Sequence, residues 1–151
     1  MELEARAGLG RVSSALAPLS LFSNLTLMQS KVQLGGDGGA AEAERAMVGQ
    51  APIVLNAGVT WSASRSPFSA TVLLNHVGEK IVTASQRPLP VTREAARTAI
   101  DASLRFPITR GFAGKLDAKN LLDQPYVQTQ GAVIRESYRA GRVYTLGLSW
   151  Q

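Results

Sequence analysis

Apolar side chains alternate one for one with polar or small ones, in stretch after stretch, and a period of two admits few folds. In the closing segment, Tyr144, Leu146, Leu148 and Trp150 take one set of positions and Thr145, Gly147 and Ser149 the other. Successive side chains of a strand point to opposite faces, so this segment reads as a strand with one apolar and one small, polar face. The pattern recurs at 3–9, 21–28, 53–61, 68–75, 100–108 and 112–119. That predicts an all-β chain of about seven strands, several near the ~9–11 residues that a tilted membrane-crossing strand needs.

The connections sort into two kinds. Those at 10–18, 62–67 and 108–111 are short or moderate, and those at 35–50, 83–97 and 123–142 are long. Read in order the two kinds alternate, as they do when antiparallel strands run up and down with short turns at one end and long loops at the other. Outer-membrane barrels have that asymmetry. Segments 40–47 and 93–100 have helix-forming composition, but Gly or Pro lies close to each, so both are expected in loops that hold at most a helical turn.

The two faces differ in charge. Glu4, Arg6, Asp101, Arg105, Lys115, Asp117 and Lys119 fall on the non-apolar sets. Charges of both signs are costly in a dry core but ordinary in a hydrated lumen, so these are the candidate lumen-facing residues. Leu55, Val59, Val72, Leu104, Leu116, Leu146 and Leu148 fall on sets with almost no charge, and are the candidate lipid-facing residues. Trp61, Phe68, Phe106, Phe112, Tyr144 and Trp150 lie near strand ends on those apolar sets, where interfacial aromatic belts occur. Hydrophobic residues make up 45% of the chain, yet no apolar run approaches the ~18 residues of a membrane helix.

Other chemistry finds little support. Cysteine is absent and His76 is the single histidine, which removes thiol chemistry and a multi-histidine metal site. Asp101 and Asp117 form a conceivable carboxylate pair, but the cations on the same faces point to charge pairing, and no enzyme activity or cofactor is expected. Gly35-Gly36-Asp37-Gly38-Gly39 lacks the context of a phosphate loop and reads as a flexible loop. The net charge of +5 comes from scattered Lys and Arg without a basic run, so no nucleic-acid partner is expected. Met1–Arg6 lacks the basic start and apolar stretch of a secretory leader.

Three stretches together resemble a known family. Gly141-Arg142-Val143-Tyr144-Thr145-Leu146-Gly147-Leu148-Ser149-Trp150 resembles the last strand of a TonB-dependent outer-membrane receptor. Leu116 to Tyr126, read as a penultimate strand, is similar to the N-L-x-(D/N)-x-x-Y region that precedes the family's last long loop. Residues 24–32 and 48–56 resemble its repeated strand-and-loop idiom, and the resemblance covers essentially residues 1–151. It implies antiparallel strands forming part of a larger barrel, with the plug, TonB box and leader elsewhere. It further implies import of a scarce large solute, most often an iron–siderophore complex, across the outer membrane of a Gram-negative bacterium.

The implied partners are outer-membrane lipid, the barrel-assembly machinery, the remaining strands and plug, and TonB through the part not present in this sequence. Tyr144, Leu146, Leu148 and Trp150 would form the C-terminal assembly signal, although Gln151 follows the terminal aromatic. Substrate contacts would come from the long loops, with Arg87, Arg93, Gln128, Gln130, Arg135 and Tyr138 as candidates. Other readings are a small outer-membrane barrel with a structural or adhesin role, a non-functional receptor fragment, and a soluble β-rich binding module. A small barrel needs an eighth strand, from 10–19 or 133–138, and neither alternates well. The inward charges disfavour the soluble module.

Overall fold

The computed structural model describes residues 1–34, 43–109 and 111–150. The Gly35–Gly39 stretch, residues 40–42 of the first helix-forming segment, Arg110 and Gln151 lie outside them. Strands β1 (Glu2–Gly8), β2 (Leu19–Leu27), β3 (Val32–Gln33), β4 (Glu44–Arg45) and β5 (Ile53–Ser62) come first. They are followed by β6 (Ser69–Val77), β7 (Lys80–Thr83), β8 (Thr92–Glu94) and β9 (Arg97–Thr109). The last four are β10 (Phe112–Lys119), β11 (Tyr126–Gln130), β12 (Val133–Tyr138) and β13 (Val143–Trp150).

The chain is all-β, and the sheets are antiparallel throughout. The main one has seven strands in the order β1-β2-β5-β6-β9-β10-β13, so each long strand pairs with the next long strand along the chain. These are the seven segments in which alternation was read, with ends moved by up to three residues. The sheet is open, and β1 and β13 are its edges.

A second sheet has four strands in the order β12-β11-β8-β7. It takes up the order of β13, β10, β9 and β6, because each of its strands lies next along the chain to one of these. Two of the three long connections, β6–β9 and β10–β13, therefore form a smaller sheet whose strand order follows that of the main one. Segment 93–100, expected as loop with at most a helical turn, instead supplies the end of β8 and the start of β9. Helix propensity there comes from Ala95 and Ala96, and pairing of the strands on either side overrides it. Glu44–Arg45 of the other helix-forming segment pairs with Val32–Gln33 as a short hairpin.

Residues 133–138 do form a strand, but it pairs with β11 and adds nothing to the main sheet. Residues 10–19 supply no strand before Leu19 and hold 3-10 turns at Leu9–Arg11 and Ser14–Leu16. The supposed penultimate strand stops at Lys119. Asn120 and Asp123 adopt φ of 57° and 46°, a left-handed conformation that Asn and Asp tolerate better than most residues.

Burial is concentrated outside the main sheet. Ala51, Ile81 and Val91 are the buried apolar residues among those described, all in or beside the long connections. Within the main sheet only Gly114 is buried. Many large apolar side chains there stay open, from Phe22 at 36% exposure to Trp150 at 78%, while Leu25, Leu55, Val59 and Leu104 are half-buried.

Candidate functional site

Strand register decides which side chains share a face, since directly paired residues of an antiparallel sheet point the same way. Leu104 pairs with Leu116, and Leu116 with Leu146. Val59 pairs with Val72, and Leu25 with Leu55. Following these pairs across all seven strands gives one continuous surface that carries no Asp, Glu, Lys or Arg. Leu55, Val59, Val72, Leu104, Leu116, Leu146 and Leu148 all lie on it, as do Trp61, Phe106, Phe112, Tyr144 and Trp150. Trp61 meets Phe68 edge to face at 5.6 Å, and Phe112 stacks on Trp150 at 6.3 Å. His76 also belongs to this face, with Nδ1 2.9 Å from Thr98 Oγ1 near the long-loop end.

The opposite face collects the main sheet's charges. Glu4, Arg6, Asp101, Arg105, Lys115, Asp117 and Lys119 share it with Glu2 and Arg97, which the sequence did not single out. Its polar groups engage one another. Arg6 pairs with Glu4 at 2.8 Å, and Lys115 with Asp117 at 2.9 Å. Asn75 Nδ2 donates to Asn56 Oδ1 at 2.6 Å, and Asn24 Nδ2 to Glu2 Oε1 at 2.7 Å. One row runs Ser20, Thr60, Thr71, Ser103, Asp117, Thr145 across six neighbouring strands, with the Thr60 and Thr71 hydroxyls 3.1 Å apart. The Asp101–Asp117 pair considered from sequence does not form as a couple. Asp101 accepts the backbone N–H of Asn120 at 2.8 Å, while Asp117 is held by Lys115.

The smaller sheet gathers a second polar group. Tyr126 pairs with Tyr138, Gln128 with both Glu136 and Glu94, and Lys80 with Glu94, so these six share a face. The two tyrosine rings lie 4.8 Å apart. Tyr126 Oη donates to Glu94 Oε2 at 3.4 Å, Gln128 Nε2 donates to Tyr126 Oη, and Lys80 Nζ lies 3.2 Å from Glu94 Oε2. Of the substrate-loop candidates, Gln128 and Tyr138 meet here.

Gln130 lies on the same side of β11, but its amide donates to Ser85 Oγ and to the Pro90 carbonyl, so it fastens the β7–β8 connection. Arg93 pairs in register with Thr129 and so faces the other way, 3.3 Å from Glu79. Arg87 is exposed in the β7–β8 connection, and Arg135 is exposed at the bulge where β12 shifts register. Glu94, Lys80 and Glu136 were not picked out from sequence, and Tyr126 only as the tyrosine of the N-L-x-(D/N)-x-x-Y region. The usable signal was the alternation in Tyr126-Val127-Gln128-Thr129-Gln130, inside a stretch read as loop. The arrangement offers hydrogen-bonding groups and aromatic rings, which suits recognition.

No family model matches the chain, and no curated protein or solved structure matches it.

Proposed function

We propose that the chain is part of the wall of an outer-membrane β-barrel of the TonB-dependent receptor type, which imports a scarce large solute such as an iron–siderophore complex. The observation that carries the membrane reading is the exposed, uncharged face spanning seven strands. An apolar surface of that extent marks contact with a partner or a membrane. Charges of both signs on the opposite face suit a hydrated lumen better than a dry interior. The ten residues of β5, at a rise of ~3.3 Å and a tilt of ~40°, reach roughly 25 Å, the height of the apolar band of such barrels.

The receptor reading rests on the resemblance of residues 116–126 and 141–150, and on long connections that build a polar, aromatic surface at one end of the wall. In this reading the uncharged face meets outer-membrane lipid, and β1 and β13 meet the remaining strands. The polar face surrounds a plug, and the barrel-assembly machinery engages the β13 residues Tyr144, Leu146, Leu148 and Trp150. Gln128, Tyr138 and Tyr126 contact solute from outside.

Transport is tested by measuring uptake of a labelled ferric siderophore in cells that encode the chain and in the same cells lacking residues 1–151. Loss of energy-dependent uptake is expected. Unchanged uptake with the chain retained in the outer membrane would contradict the transport role and favour a structural one.

A further inference from the structure

The net charge of the chain is unevenly placed along the strands. The short connections β1–β2, β5–β6 and β9–β10, with the end of β13, define one end of the main sheet, and the long connections define the other. Every one of the 11 carboxylates lies in a long connection or on the long-loop side of its strand's midpoint, Asp37 and Glu42 being placed by sequence alone. Arg6, Arg11, Arg65, Arg105, Arg110 and Lys115 lie on the short-turn side, Arg110 being placed there by sequence alone. The short connections themselves thus carry Arg11, Arg65 and Arg110 and no carboxylate.

Two of these cations stand out. Arg11 and Arg65 are exposed at the turns, and neither forms an ion pair among the described residues. A second feature falls at the same end. Both tryptophans, Trp61 and Trp150, together with Phe68 and Phe112, sit there beside the uncharged face, whereas Tyr144 is the one aromatic on that face at the long-loop end. Trp is favoured at the boundary between hydrocarbon and headgroups. Arginine just beyond such a belt reaches the phosphate layer, where it forms charge-assisted hydrogen bonds.

We propose that the short-turn end is a docking surface for anionic phospholipid headgroups, with Arg11 and Arg65 binding the phosphates above the aromatic belt. The proposal rests on the membrane-wall reading and adds the lipid chemistry of one leaflet. The aromatic residues on the uncharged face favour lipid over an acidic protein, because a protein contact confined to the turns has no use for them.

The two tryptophans make the end observable. The full chain, kept dispersed in detergent, is reconstituted by detergent removal into vesicles of phosphatidylcholine, or of equal parts phosphatidylcholine and phosphatidylglycerol, and tryptophan emission is followed. A blue shift on both is expected, with tighter binding to the anionic vesicles that weakens as salt rises. Each cation near an anionic surface contributes about 1 kcal/mol, so the double variant Arg11→Gln, Arg65→Gln should cut the anionic preference roughly thirtyfold. The double variant Arg87→Gln, Arg135→Gln removes the same charge from the long connections and should leave that preference unchanged.

Equal losses in the two double variants would overturn the proposal, since net charge alone would then account for binding. A blue shift indifferent to headgroup charge would also overturn it, while leaving the membrane wall standing. No shift on either vesicle would remove the membrane wall itself. Binding of soluble polyglutamate, abolished by Arg11→Gln, Arg65→Gln and without vesicle preference, would reassign the end to an acidic protein.

Discussion

Gly58 lies on the charged face directly between Phe22 and Leu73, its register partners on either side. A Cβ there would overlap the Phe22 ring and lie 2.9 Å from Leu73 Cδ2. The glycine lets two apolar side chains close over it, which explains how Phe22 and Leu73 are accommodated among polar neighbours. Gly58→Ala should lower stability by about 1–2 kcal/mol through overpacking. Gly147 has no atom nearer than 3.8 Å to such a Cβ, so Gly147→Ala should be neutral or stabilising by up to ~1 kcal/mol. Denaturant midpoints in one detergent would show the contrast, and equal shifts would contradict the packing account. The faces give a second contrast. Leu104→Arg places a charge on the uncharged face and should cost about 2–4 kcal/mol in lipid, whereas Ser103→Arg, on the charged face, should cost far less.

The break between β10 and β11 is built from a few residues that act together. Asn120 holds a φ of 57°, its Nδ2 donates to the Gly141 carbonyl at 2.6 Å, and its backbone N–H donates to Asp101. Asp123 Oδ1 accepts the Gly141 N–H at 3.0 Å, so the start of β13 is fixed to the end of β10. Asn120→Ala should cost about 2 kcal/mol, from left-handed strain and a lost hydrogen bond. Asn120→Gly should recover roughly half of that, because glycine accepts the backbone angle. Proteolysis rates of the 131–142 segment would report both.

This element also marks how far the sequence could be read. The seven long strands were legible because each repeats its alternation over seven or more residues with one face free of charge. The smaller sheet was not, since β7 and β8 are only four and three residues long and turns interrupt them. Which residues share a face along a strand was legible from period two. That Tyr126 meets Tyr138, and Glu94 32 positions away, was not, because it depends on register across three strands.

At the scale of the molecule, the main sheet has two unpaired edges and an apolar face that nothing else in the described chain covers. Seven antiparallel strands also leave β1 and β13 running in the same direction, so the sheet does not close on itself with antiparallel pairing. Open edges are costly in lipid and prone to aggregation in water. The isolated chain should therefore aggregate without detergent, and sedimentation should show it dispersing when detergent is added. The central claim is that one face of this wall meets hydrocarbon and the other meets water. It is tested most directly by placing a spin label in turn at each position from 100 to 106 on β9 in vesicles. Accessibility to oxygen and to a water-soluble nickel complex is then measured. The account predicts period two, with oxygen access at 100, 102, 104 and 106 and nickel access at 101, 103 and 105. Uniform access to the nickel complex at all seven positions would contradict it.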